Sequence, residues 1–314
     1  MTSQPAITVH FDRDELVRTM QHAVHSPLSG LVRTIGWYPA GLGRPRFHVD
    51  HIAVATDPVT TDAPPATAGG LFPSESRIRA LGLAIERYSE HSFADGQDEL
   101  VLADDLLNAG ASRSIPRQLL WTGPAATASH IVAAKALLLA LRRLVAQLPG
   151  ERVLLALDER TRVIERVVQQ RIPADTQVEF ILAAPGPLPA FTATCRLVSR
   201  GRLLGEGTVN HGALNRALYE SLLQAAADER EGRWSGRGWT SAPAAPTTTV
   251  SAARLPPDST SLDHGTSLIL DAFRDGGHQL FAVDLTTDDV RTAGLRVLRV
   301  CATGVSGTRG QDVS

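Results

Sequence analysis

The chain has 314 residues, a formal net charge of -2 and 43% hydrophobic residues, enough to bury a substantial core without requiring a second domain. A charge this close to zero sets up no global field directed at nucleic acid or an anionic membrane. No apolar run is long enough to span a bilayer and residues 1–11 lack a basic-then-apolar signal pattern, so a cytoplasmic protein is expected, with neither nucleic acid nor membrane as partner.

Basic residues are almost all arginine, Lys135 being the only lysine, a bias of genome composition rather than of binding. Cys195 and Cys301 are too few and too far apart for a disulfide framework or a zinc site. Each lies in a strand-like run, T-A-T-C-R-L-V and V-L-R-V-C-A, and is expected to be a packed free thiol.

In chain order, periodicity predicts a strand over Ala6–Phe11, a helix over Glu15–His25, and strands over Gly30–Trp37 and Arg46–Ala55. A Pro- and Thr-rich loop, Asp57–Ala68, then delivers the chain to a helix that starts at Pro73 and runs to about Ser89. Ser74 or Glu75 suits its cap or the positive end of its dipole. Its apolar stripe is Ile78, Leu81, Ala84, Ile85 and Tyr88, while Arg79, Leu83 and Glu86 share a neighbouring face.

A second long helix is predicted over Ala128–Leu148. Strands near Val153–Leu157, Val178–Ala183 and Phe191–Val198 follow, with a helix over Glu159–Gln170 among them. A third long helix covers Ala213–Glu231. The segment Gly232–Leu262, poor in large apolar residues, reads as a flexible loop in which Trp234 and Trp239 pack. A helix at Thr266–Phe273, a strand at Gln279–Leu285, a short helix at Asp288–Ala293 and a strand at Arg296–Cys301 complete the chain before a Gly- and Ser-rich end. The alternation implies an α/β (mixed α+β) fold with helices packed on a mixed sheet.

The F-H-V-D-H run, Phe47 to His51, resembles a metal cluster in composition. On a strand, however, His48 and Asp50 face one way and His51 the other, which favours a strand surface. The remaining histidines are scattered singly, and nothing arranges a serine, a histidine and an acid recognisably.

The segment G-L-F-P-S-E-S-R-I-R-A-L-G-L-A-I-E-R-Y-S, Gly70 to Ser89, resembles the first signature of the YcaO family. Gly70, Leu71, Pro73, Ala80, Leu81, Ala84, Ile85, Glu86, Arg87, Tyr88 and Ser89 match it. V-D-L-T-T-D-D-V-R-T-A-G-L-R-V-L-R-V, Val283 to Val300, resembles the family's late strand–helix–strand element, and S-P-L-S-G-L-V, Ser26 to Val32, its opening. The resemblance implies a YcaO-like fold in which 1–231 and 263–304 form one domain, 232–262 a flexible loop and 305–314 a disordered tail.

The resemblance also implies where nucleotide and metal would lie. Family members use ATP and magnesium to activate a peptide backbone amide, with glutamates from three helices converging on one cleft. Here Gly69 takes the lysine position, Arg79 the serine position and Leu83 the first glutamate position. On the second helix, A-A-K-A-L-L-L-A-L-R-R-L-V-A, Leu139 and Arg142 take the two glutamate positions and Arg143 keeps the arginine. On the third, R-A-L-Y-E-S-L-L-Q, Glu220 is retained and Leu223 replaces the glutamine, after a glycine-containing approach loop, Gly205 to His211.

With Glu86 and Glu220 as the surviving carboxylates, the expectation is a degenerate nucleotide site with no cofactor. The chain would act as a non-catalytic subunit in biosynthesis of a ribosomally made, post-translationally modified peptide of thiazole/oxazole or thiopeptide type. Its partners would be an active YcaO enzyme, a peptide-recognition protein or the precursor peptide. The alternatives are an active ATP- and magnesium-dependent amide-activating enzyme, with Glu86 and Glu220 as metal ligands and Arg79, Arg142 and Arg143 on phosphates, and an anion- or small-molecule-binding regulator.

Overall fold

The computed structural model describes residues 31–38, 46–54, 65–96, 98–108, 111–148, 150–183, 190–259 and 261–303. The elements expected at Ala6–Phe11 and Glu15–His25, most of the Ser26–Val32 segment and the tail lie outside these residues. The described residues form seven α-helices and three sheets, a mixed α+β fold.

Strands β1 (Val32–Tyr38), β2 (His48–Val54) and β3 (Ala66–Gly70) form an antiparallel sheet. The third strand occupies the end of the stretch expected to be a loop, because Ala66, Ala68, Gly69 and Gly70 are small enough to be buried beneath a helix. That helix, α1 (Pro73–Ala94), packs on β2 and β3. Pro73 sits in its first turn, where its missing N–H costs nothing. Phe72 is the N-cap and no side chain caps it. Ala80, Leu81, Ala84 and Ile85 are buried against Ile52, Ala66 and Ala68, each of the larger ones contributing about 1.5–3 kcal/mol.

A second sheet, in the order β5-β4-β13-β14-β6, combines early and late chain. It contains β4 (Leu100–Asp105), β5 (Ala111–Pro116), β6 (Ala125–His130), β13 (Gln279–Asp284) and β14 (Arg296–Thr303), with the short helices α2 (Leu119–Thr122) and α7 (Asp288–Thr292) in its connections. The connection after Ser89 therefore holds three strands. β6 corrects the helix start expected at Ala128: Ala126 to Arg296-facing His130 pair along β14, and the helix α3 (Ala133–Gln147) begins only after the turn. Leu138, Leu141, Leu144 and Val145 of α3 pack on Leu280 and Val300 of this sheet.

The third sheet runs β11-β10-β9-β8-β7-β12. Its strands are β7 (Arg152–Ala156), β8 (Gln177–Ala183), β9 (Phe191–Ser199), β10 (Arg202–His211), β11 (Thr240–Ser241) and β12 (Thr249–Ser251), with helix α4 (Arg162–Arg171) between β7 and β8. Helix α5 (Leu214–Trp234) lies on β9 and β10. The expected glycine-containing loop at Gly205–His211 is in fact strand β10. A Cβ on Gly205 would stand 2.2 Å from the Ala225 carbonyl oxygen and one on Gly207 2.5 Å from that of Ser221, so glycine is what lets α5 lie this close.

The segment expected as a flexible loop is tied to this sheet: β12 pairs in parallel with β7, and β11 with β10. Arg160 holds it further, donating to the carbonyl oxygens of Ala252, Leu255 and Pro256 and to Asp258. Trp234 is 64% exposed, with its ring 5.7 Å from that of Tyr38. Helix α6 (Leu262–Asp275) then returns the chain to β13, Ile269 and Phe273 packing against α3 and the second sheet. Cys195 and Cys301 are both buried free thiols, and burial raises the pKa of each.

Candidate functional site

The three long helices α1, α3 and α5 meet, and the polar residues they place at the junction, Arg142 apart, are bound to one another or to neighbouring strands. Glu75, in the first turn of α1, is buried; its carboxylate accepts the Leu71 N–H (2.9 Å), the Tyr219 hydroxyl (2.7 Å) and Arg79 Nη2 (3.4 Å). Burial and the Glu75 carboxylate raise the Tyr219 pKa, so this hydroxyl keeps its proton and donates it. Arg79 Nη2 also reaches Glu220 of α5 at 3.5 Å, bridging the two carboxylates.

Two turns along α1, Glu86 is 5% exposed. One of its oxygens accepts the backbone N–H (2.9 Å) and the hydroxyl (3.0 Å) of Ser129 on β6, and the other accepts Arg143 Nη1 of α3 at 2.5 Å. Arg143 also donates to the Thr127 carbonyl. This is a cross-brace between two helices and a strand.

Arg142, one residue earlier on α3, points elsewhere, with its Nη2 3.4 Å from where a Gly212 Cβ would lie and 3.7 Å from the equivalent point on Gly265. It is 9% exposed, and burial lowers its pKa while Glu220 opposes the shift; an arginine remains charged regardless. His211, at the end of β10, accepts the Ala213 N–H on Nδ1 (2.9 Å), which places its neutral-form proton on Nε2. Burial lowers its pKa, as do Arg142 and Arg216, against Glu220.

The apolar substitutions are packed. Leu223 is buried with the α5 core, Leu83 packs beside the α1 core and Leu139 beside that of α3. At Gly69 a Cβ would stand 2.5 Å from the Leu223 carbonyl oxygen, so α5 closes the space a side chain would use. Among the described residues, no three of His, Cys, Asp and Glu are grouped to hold a metal ion.

No protein-family model matches the chain, and no curated protein does. Solved structures do. YcaO from Methanopyrus kandleri bound with AMPPCP and Mg2+ superposes with a TM-score of 0.72 at 17% identity, over 94% of this chain and 91% of that one. The chain has a YcaO-like fold.

A heterocyclase in complex with substrate and cofactor gives a TM-score of 0.69 at 13% identity, over 97% of this chain and 54% of that one. A chain of the E. coli microcin synthetase McbBCD complex with pro-MccB17 bound gives 0.55 at 11%, over 86% and 87%. In this YcaO-like fold Arg79 and Glu220 are joined directly, as are Glu86 and Arg143, while Arg142 lies apart from both contacts. Reasoning from sequence missed Glu75, Tyr219 and Ser129. Glu75 was read only as a cap, Tyr219 lay in a variable slot of the third helix signature, and Ser129 fell inside a misassigned helix.

Asp50 also departs from the strand-surface expectation. It is 2% exposed and accepts the Ser76 hydroxyl and Arg77 Nε (2.6 Å), tying β2 to α1. His51 stacks on Tyr38 with ring centroids 4.4 Å apart.

Proposed function

We propose that this chain is a catalytically degenerate YcaO-type protein. It would serve as a non-catalytic subunit or scaffold that partners an active YcaO cyclodehydratase, or presents the precursor, in biosynthesis of a ribosomally made, post-translationally modified peptide. One observation carries the reading: both carboxylates at the expected ligand positions are engaged by the chain's own arginines, Glu86 by Arg143 and Glu220 by Arg79.

Magnesium on a triphosphate needs several hard oxygen ligands at one point. Here the remaining positions hold Leu83, Leu139 and Arg142, and a lysine at position 69 would collide with α5. These side chains do not fit a magnesium triphosphate. The peptide setting draws support from two of the solved structures above, the heterocyclase in complex with substrate and cofactor and the microcin synthetase McbBCD complex with pro-MccB17 bound.

A second reading, an ATP- and magnesium-dependent amide-activating enzyme, draws on the convergence of α1, α3 and α5 with Glu86 and Glu220 still on them. Calorimetry separates the two. The expected result is no magnesium-dependent ATP binding, together with a complex between this chain and an active YcaO enzyme in analytical ultracentrifugation. Tight magnesium-dependent binding abolished by Glu86→Gln would establish the enzyme instead, and the absence of any complex would remove the scaffold role.

A further inference from the structure

Arg142 is left without a hydrogen bond when the contacts at the junction are assigned. Glu75 is satisfied by Leu71, Tyr219 and Arg79, and Glu220 lies against Arg79. Arg142 forms no hydrogen bond or ion pair with any described residue, although nine-tenths of it is buried. Glu220 opposes the effect of burial on Arg142 only in part, so a guanidinium without a hydrogen-bonded acceptor among the described residues carries a net desolvation cost.

Its surroundings include a helix N-terminus. Gly265, whose missing side chain leaves Arg142 Nη2 3.7 Å away, lies in the first turn of α6, at the positive end of a 14-residue helix. His211, whose neutral form carries its proton on Nε2, is near enough for the Arg142 charge to lower its pKa, and Glu220 acts on both. The guanidinium and the helix N-terminus both favour a negative charge between them.

A second unsatisfied group borders the same point. A Cβ on Gly212 would lie 3.4 Å from Arg142 Nη2 and 3.0 Å from the carbonyl carbon of Ser259. The Ser259 backbone is fixed there by its N–H, which donates to the Gly212 carbonyl at 2.7 Å. Its hydroxyl oxygen is buried without a partner among the described residues.

We propose that Arg142, the Ser259 hydroxyl and the N-terminal turn of α6 form a metal-free binding site for a phosphate group, free or carried by a small molecule. A guanidinium, a hydroxyl and a helix N-terminus are the donors such a group takes. The site replaces a position where the YcaO resemblance expects a carboxylate. It stands on Arg142 and its neighbours, and does not depend on the scaffold role above.

The test titrates inorganic phosphate, and glycerol 3-phosphate in parallel, into the full chain in EDTA, with thermal unfolding followed in the same buffers. Expected are one binding event without magnesium, a phosphate-dependent rise in Tm, and at least about tenfold weaker binding in Arg142→Gln, the loss for one charged hydrogen-bonding group. Arg142→Gln should also unfold at a temperature no lower than the parent in phosphate-free buffer, since it removes a buried charge that has no hydrogen-bonded partner among the described residues. Ser259→Ala, at a half-buried loop position, should weaken binding without disturbing the fold, and Arg166→Gln on α4 should leave it unchanged. No phosphate-dependent rise in Tm, a rise undiminished in both site variants, or a requirement for magnesium would overturn the site.

Discussion

Glu86 shows how a carboxylate at a former ligand position can become structural. Its side chain is 7% exposed and accepts three donors, two of them from Ser129 of β6. Arg143 is 42% exposed and can return to water, so the ion pair itself contributes little. The energy lies in the Ser129 contacts. Glu86→Ala should therefore lower stability by roughly 1–3 kcal/mol, the cost of leaving a buried donor unpaired. Arg143→Ala should cost much less, and the double variant should show a coupling of about 1 kcal/mol or below. Urea denaturation of the four proteins measures all three quantities; an unchanged midpoint for Glu86→Ala would mean that the carboxylate is held for another purpose.

Among the elements, the packing of α5 decides what the site can contain. Gly205 and Gly207 on β10 and Gly69 on β3 all face its backbone carbonyls, at distances of 2.2 to 2.5 Å from an added Cβ. Gly69→Lys, which restores the family's residue, should push α5 away from β3. It should destabilise the chain by about 1–3 kcal/mol, as overpacking does, without conferring ATP binding. Equilibrium denaturation and calorimetry on this one variant check both parts. A lysine tolerated at no cost would show that α5 yields easily and that the junction is not closed.

The same packing explains what could be read from the residues. Long helices were legible because their apolar stripes repeat over several turns, as with Leu81, Ala84 and Ile85 or Leu138, Leu141 and Val145. β10 was not, because its glycines serve α5 rather than the strand, and G-E-G-T-V-N-H alone reads as a loop. A-A-T-A-S-H in β6 has helix-forming alanines, and only pairing with β14 makes it extended. At the site, substitution of the ligand positions was visible residue by residue. That Arg79 bridges Glu75 and Glu220, and that Arg143 takes Glu86, depends on contacts between helices more than fifty positions apart in sequence.

Over the whole molecule, burial sets the response to pH. His51, His130 and His211 all have lowered pKa values, with desolvation the largest cause in each. Each is neutral in the folded chain at a pH where the unfolded chain, with its ordinary value near 6.5, already takes up a proton. The unfolded state therefore binds more protons as pH falls. The stability associated with these residues is fully present above the unfolded value and is lost as pH drops through it towards the folded values. Asp105 and Asp289, held low by hydrogen bonds from Asn108 and from Thr287 and Tyr88, extend the loss at more acidic pH, once their carboxylates protonate. The urea midpoint should thus be level between about pH 8 and 7.5 and fall between about 7 and 5.5, before the carboxylate region is reached. Replacing His51, His130 and His211 together by Gln should flatten that first step and leave the second. A step that survives the triple replacement would assign it to other groups, and a midpoint that rises on acidification would mean that these imidazoles gain partners in the folded chain rather than lose water.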